Sequence, residues 1–185
     1  TTATVQKIGS GAEMLLLQSG DGIHAVNPKN GEVVWHYADG ASTIPSSALA
    51  GGVLYVPSHG LTALELADDG RSFKQKWRSS RLRPGTASPL VHRDRVYSLN
   101  NAGVLTCGDT DSGKRLWQLR LDGPFGGSPV VADNHLYAFN EEGKAQVVDL
   151  SAPEGRIAGE MDLGEMIQCS PAVSNGALYV RSNGR

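Results

Sequence analysis

Three markers recur along the chain in one register, and this repeat restricts the fold more than any other feature. Tryptophan falls at Trp35, Trp77 and Trp117, at steps of 42 and 40. An apolar residue followed by tyrosine falls at Leu54-Tyr55, Val96-Tyr97, Leu136-Tyr137 and Leu178-Tyr179, and a serine falls at Ser46, Ser88, Ser128 and Ser170; both markers step by 42, 40 and 42. A period of this length means one supersecondary unit stacked on copies of itself.

Within a unit the pattern is short runs of strand formers cut by turns. In the third, Pro89-Leu90-Val91 precedes a turn at His92-Arg93-Asp94, the run Val96-Tyr97-Ser98-Leu99, a second turn at Asn100-Asn101-Ala102-Gly103 and the run Val104-Leu105-Thr106-Cys107. A last turn, Asp109-Thr110-Asp111-Ser112-Gly113, leads into Arg115-Leu116-Trp117-Gln118-Leu119. No window has helical periodicity. Glycine accounts for the turns: 23 of 185 residues, against an average usage of ~7%. Four antiparallel strands in ~40 residues make a β-propeller blade, a small sheet that covers its two faces only by packing on neighbouring sheets. Tryptophan on the outermost strand suits that junction, because its ring spans the gap and its N–H needs a nearby acceptor.

A small residue stands ten positions before tryptophan and a glycine four before it, as Ala25, Gly31 and Trp35 and again as Cys107, Gly113 and Trp117. This resembles the tryptophan-docking motif A-x-D-x-x-T-G-x-x-x-W of the PQQ-like (quinoprotein-type) β-propeller repeat family. Asn27 and Asn30, and Asp109 and Ser112, stand at the motif's Asp and Thr positions. The second unit departs by insertion, with Ala63, Gly70 and Trp77 spread over fourteen steps; the fourth has Val147, Asp149 and Gly155 but no tryptophan, so weaker docking is expected there. The resemblance covers essentially the whole chain.

The expected fold is therefore all-β, with propeller blades of four antiparallel strands in about four and a half repeats of ~41 residues. The whole chain, residues 1–185, reads as one propeller segment, with blades at about 1–38, 43–79, 86–121 and 126–162 and a half blade at 168–185. Half a blade left over exposes an apolar face and unpaired edges. Three arrangements remain open: a fragment of a larger propeller, which is the expectation; an open arc completed by a second copy, as a homo-oligomer, or by another chain; and a small closed ring with an overlapping hairpin. No apolar run is long enough to cross a bilayer. The two cysteines, Cys107 and Cys169, are 62 residues apart, and each reads as a small buried apolar residue.

No catalytic, cofactor-binding or metal-binding residue is expected. The resemblance implies pyrroloquinoline quinone (PQQ) and calcium only for a complete ring, and the adjacent cysteines and catalytic Asp of that class have no match here. The histidines His24, His36, His59, His92 and His135 lack metal-site spacing and read as residues of strands and turns. The 109–113 segment has a calcium-loop beginning but Leu119 where the loop's Glu belongs, so it reads as a turn. Serines 47, 88 and 128 lack a nucleophile-elbow context.

Charge is segregated. Residues 71–120 hold 11 basic against 3 acidic residues, residues 1–70 hold 2 against 7, and residues 121–165 hold 2 against 9. The densest stretch runs from Arg71 to Arg83 with no acidic residue, and strict alternation would put Phe73, Gln75 and Trp77 on one face and Lys74, Lys76 and Arg78 on the other. Two readings stand: an outer edge strand guarded against aggregation by its charges, or a basic rim, Lys74, Lys76, Arg78, Arg81 and Arg83, for an acidic partner. Acidic segments on both sides and a pI of about 6.2 argue against nucleic acid. Similarity to the scaffolding, BamB-like branch of the family implies a non-enzymatic protein that binds other proteins in a bacterial periplasmic or otherwise extracytoplasmic setting. The alternative is a piece of a PQQ-dependent dehydrogenase or of a ligand-sensing propeller.

Overall fold

In the computed structural model, which describes residues 1–9 and 13–184, the chain is all-β. Four sheets of four antiparallel strands follow one another, each meandering in chain order. The first holds β1 (Thr4–Lys7), β2 (Glu13–Ser19), β3 (Gly22–Val26) and β4 (Val33–Tyr37); the second holds β5 (Ala48–Ala50), β6 (Val53–Val56), β7 (Leu61–Leu66) and β8 (Phe73–Ser79). The third holds β9 (Leu90–His92), β10 (Arg95–Leu99), β11 (Val104–Asp109) and β12 (Arg115–Arg120), and the fourth β13 (Val130–Ala132), β14 (His135–Phe139), β15 (Lys144–Asp149) and β16 (Arg156–Asp162). A hairpin of β17 (Ala172–Ser174) and β18 (Ala177–Tyr179) comes last. First strands adjoin one another, β1 with β5, β5 with β9 and β13 with β17. The sheets therefore fan out as the blades of a partial propeller.

The core lies between blades rather than within them. Met14, Leu16, Ile23 and Trp35 of the first blade pack on Leu54, Val56 and Leu64 of the second. Tyr55, Ala63 and Trp77 of the second pack with Val96 of the third, and Tyr97, Leu105 and Trp117 of the third with Leu136 and Val148 of the fourth. A middle strand such as β6 is consequently buried on both faces, whereas Val173, Leu178 and Tyr179 of the final hairpin stay exposed.

The serine marker has a structural explanation. The backbone N–H of Ser46 donates to Ser88 Oγ, that of Ser88 to Ser128 Oγ and that of Ser128 to Ser170 Oγ, each at 2.9 Å, and Thr2 N donates to Ser46 Oγ at 2.8 Å. Each serine thus ties the entry of one innermost strand to the next. Pro89, Pro129 and Pro171 follow where the strand begins and a missing N–H is tolerated.

Two expectations are corrected. The pairing of third and fourth strands slips at Ala25/Val26, Ala63/Leu64, Cys107/Gly108 and Val147/Val148. This bulge skips Lys76 and reverses the alternation behind it, so Phe73 and Trp77 lie on opposite faces of β8. Phe73 meets Trp35 of the first blade at 4.8 Å between ring centroids, while Trp77 turns to the third. Cys107 is buried, but Cys169 is only half-buried, its Sγ 3.1 Å from the Arg181 carbonyl.

Candidate interaction surface and tryptophan docking sites

Each tryptophan stands on the fourth strand of its blade and reaches the turn between third and fourth strands of the next blade. Trp35 Nε1 donates to the Gly70 carbonyl at 3.0 Å, and Trp77 Nε1 to the Thr110 carbonyl at 2.8 Å. The small residue before each tryptophan is its cross-strand partner: Ala25 opposite Trp35, Ala63 opposite Trp77, Cys107 opposite Trp117. The fourteen-residue spacing in the second blade leaves that pairing intact, because the added residues lengthen the hairpin by two further pairs, Glu65 opposite Lys74 and Leu66 opposite Phe73, and leave the turn itself unchanged in length.

The motif glycine serves the preceding blade's tryptophan, not its own. A Cβ on Gly113 would stand 2.5 Å from the Trp77 ring, and one on Gly155 2.4 Å from the Trp117 ring. Gly31 has no atom within 4 Å of that position, so it does not meet Trp35. The turn at 109–113 is closed by Asp109, whose Oδ1 accepts from Ser112 N at 2.7 Å and Ser112 Oγ at 2.5 Å. On the outer strand of the fourth blade, Gly159 occupies the tryptophan register opposite Val147. The turn of that blade does receive Trp117, but Trp117 Nε1 is buried with no acceptor among the described residues.

The structure divides the basic stretch. Lys76 Nζ lies 2.6 Å from Asp111 Oδ1 in the third blade. Arg78 pairs with Asp39 and donates to Tyr37 Oη at 3.0 Å, both in the first blade's outer strand and its exit. Hydrogen bonds to Asp111 and Asp39 raise the pKa of Lys76 and Arg78 respectively, and Arg78 lowers that of Asp39. These two cations clamp blades together. Lys74 is exposed across from Glu65. Arg81 and Arg83 are exposed on either side of the fully buried Leu82, and Arg83 Nε donates to the Ser80 carbonyl at 2.9 Å. Arg83 also lines an open groove of about 760 Å³ between the first two blades, together with Asp39, Ser42, His59, Ser80 and Pro84.

Linear spacing missed one cluster. His24 and His36, twelve residues apart, are direct cross-strand partners with stacked rings, and Asp21 lies beside both. The other histidines are met singly, His92 by Asn134 Oδ1 at 3.0 Å and His135 by the Asp133 carbonyl at 2.8 Å.

Residues 61–158, which run from β7 into β16, match the family model described as outer membrane protein assembly factor BamB. The chain belongs to this family. It is 31% identical over 98 residues to the outer membrane protein assembly factor BamB of Salmonella typhimurium, a match covering 48% of this chain and 24% of that protein. The matched region thus spans about a quarter of that relative's length. The crystal structure of BamB from Moraxella catarrhalis superposes with a TM-score of 0.72 at 18% identity, covering 98% of this chain and 58% of that one. At that identity the likeness shows the fold, a BamB-type propeller of PQQ-like repeats.

Proposed function

We propose that this BamB-family chain is a non-enzymatic scaffold that serves outer-membrane protein assembly through protein–protein contact in the periplasm. The observation that carries the reading is the family match from the outer half of the second blade, through the third, to the start of the last strand of the fourth. The Salmonella relative is an outer membrane protein assembly factor, which supplies the process, and no catalytic group or cofactor enters the reading. For the contact surface we assign Arg81 and Arg83, with Lys74 nearby. They are exposed, whereas Lys76 and Arg78 are engaged within the chain. The exposed Arg83 guanidinium at the groove, with Arg81 two residues before it in the chain, suits an acidic segment of a partner, since arginine recognises carboxylates in a forked geometry.

Deleting the gene in the bacterium that encodes it, then comparing heat-modifiable outer-membrane barrels on gels, tests the reading. Barrel levels are expected to fall, to recover with the wild-type gene, and not to recover with an Arg81→Glu, Arg83→Glu variant that accumulates normally. Unchanged barrel levels on deletion overturn the function; full rescue by the double variant overturns the surface.

A further inference from the structure

The first blade carries a cluster whose geometry the propeller does not require. His24 on β3 and His36 on β4 are directly opposed, a placement that brings both side chains to one face with their Cβ atoms ~4.5–5.5 Å apart. Their rings stack at 4.0 Å between centroids with an interplanar angle of 12°. Asp21 lies in the β2–β3 turn, one residue before β3. Its Oδ2 is 3.2 Å from His24 Nε2 and 3.6 Å from His36 Nε2. Ser19 Oγ donates to the other carboxylate oxygen and orients the group.

We propose that Asp21, His24 and His36 form a site for a borderline divalent transition metal, Zn²⁺ in the first instance. Three ligand atoms, one from each residue, lie within 4.8 Å of one another. Zinc bound by imidazole and carboxylate at ~2.0–2.1 Å has tetrahedral edges of about 3.3–3.4 Å, and the two nitrogen-to-oxygen separations bracket that length; on binding, the stacked rings turn apart about χ2 so that both in-plane lone pairs meet at one ion. Two neutral imidazoles and one carboxylate also form a donor set suited to this ion. The fourth position is left for water.

Comparison with the other blades supports a role beyond packing. The pair equivalent to His24 and His36 is Thr62 and Arg78 in the second blade, Thr106 and Gln118 in the third, and Gln146 and Glu160 in the fourth. Those pairs are hydrogen-bonded, Arg78 Nε to Thr62 Oγ1 at 3.2 Å, Gln118 Nε2 to Thr106 Oγ1 at 3.0 Å and Gln146 Nε2 to Glu160 Oε1 at 2.7 Å. Three residues before the third-strand member stand His59, Gly103 and Gly143, where the first blade has Asp21. Ordinary polar pairs therefore satisfy the fold at this level, and among the described residues only the first blade assembles two imidazoles and a carboxylate.

Calorimetric titration of the untagged, chelator-stripped chain with Zn²⁺ tests the site. One equivalent is expected to bind, with affinity reduced roughly tenfold or more in His24→Gln and in His36→Gln and unchanged in His92→Gln and His135→Gln. Replacing Zn²⁺ by Co²⁺ in the wild-type chain is expected to give the visible absorption of a low-symmetry four-coordinate ion, a readout independent of whether any variant folds. Absence of a stoichiometric site, retention of affinity in both His24→Gln and His36→Gln, or an octahedral Co²⁺ spectrum each overturns the proposal.

Discussion

The junction between the second and third blades and the junction between the third and fourth use the same parts and complete them differently. In both, a tryptophan on the outer strand lies over a glycine of the next blade, Trp77 on Gly113 and Trp117 on Gly155. Trp77 finds the Thr110 carbonyl at 2.8 Å; Trp117 Nε1 finds no acceptor among the described residues. The turns explain the difference. An aspartate closes both, Asp109 on Ser112 and Asp149 on Ser151, but the fourth-blade turn is longer by two residues between the cross-strand partner and the glycine. Its Pro153 carbonyl accepts instead from Arg95 of the third blade at 3.0 Å. Ring burial is thus the part of the docking that both junctions keep, and the N–H bond is a refinement that one turn supplies and the other does not.

Removing the ring should outweigh any change to its surroundings. Trp77→Ala is expected to cost about 3–5 kcal/mol by leaving a cavity between two blades. Because contacts in a repeat array run mainly between neighbours, hydrogen exchange should rise first in β8 and β11, and uniform loss of protection across all blades would refute that locality. Next in size come the glycines. Gly113→Ala and Gly155→Ala both drive a methyl group into a tryptophan ring, an overpacking cost of about 1–3 kcal/mol. Gly113 alone also has φ at +67°, which adds about 1–2 kcal/mol for a residue with a Cβ. Urea denaturation should therefore rank Gly113→Ala as the more damaging, and equal losses would show that the backbones relax.

These residues also show how far the sequence carried. The spacing of Trp35, Trp77 and Trp117 with Ser46, Ser88, Ser128 and Ser170 revealed blades, because each marker repeats one contact from junction to junction and so recurs at the repeat length. Which glycine meets which tryptophan was not legible: Gly31 and Trp35 are neighbours in sequence, but the contact belongs to the following blade. The fate of the basic stretch was hidden for a related reason. Asp111 and Asp39, which engage Lys76 and Arg78, lie 35 and 39 residues away, and the bulge at Lys76 broke the alternation used to assign faces. His24, His36 and Asp21 escaped notice because strand register, not a fixed sequence interval, brings them together.

A milder substitution isolates the N–H from the ring. Trp77→Phe and Trp117→Phe lose similar apolar area, but only Trp77→Phe breaks a hydrogen bond and leaves the Thr110 carbonyl unpaired. Trp77→Phe should be the costlier by about 1 kcal/mol. A larger loss from Trp117→Phe would mean that its indole N–H has a water partner worth as much.

The smallest effect concerns acid, and it again separates the two junctions. Asp109, at the head of the third-blade turn, has its pKa lowered chiefly by the Ser112 hydroxyl. Asp149, at the head of the fourth-blade turn, is held well below the ordinary carboxylate range by the Ser151 hydroxyl, the Ser151 backbone N–H and Arg156. A carboxyl whose folded pKa lies below its unfolded value near 3.9 stabilises the fold fully above that value and loses the contribution as pH falls toward the folded pKa. The stability advantage of wild type over Asp109→Asn and over Asp149→Asn should thus be constant near neutrality and shrink below about pH 4. Asp149, the more strongly depressed, should keep its advantage to lower pH, readable as the gap in thermal midpoint between wild type and variant. A gap that closes at the same pH for both would mean that Arg156 and Ser151 hold the fourth-blade turn no more firmly than Ser112 holds the third.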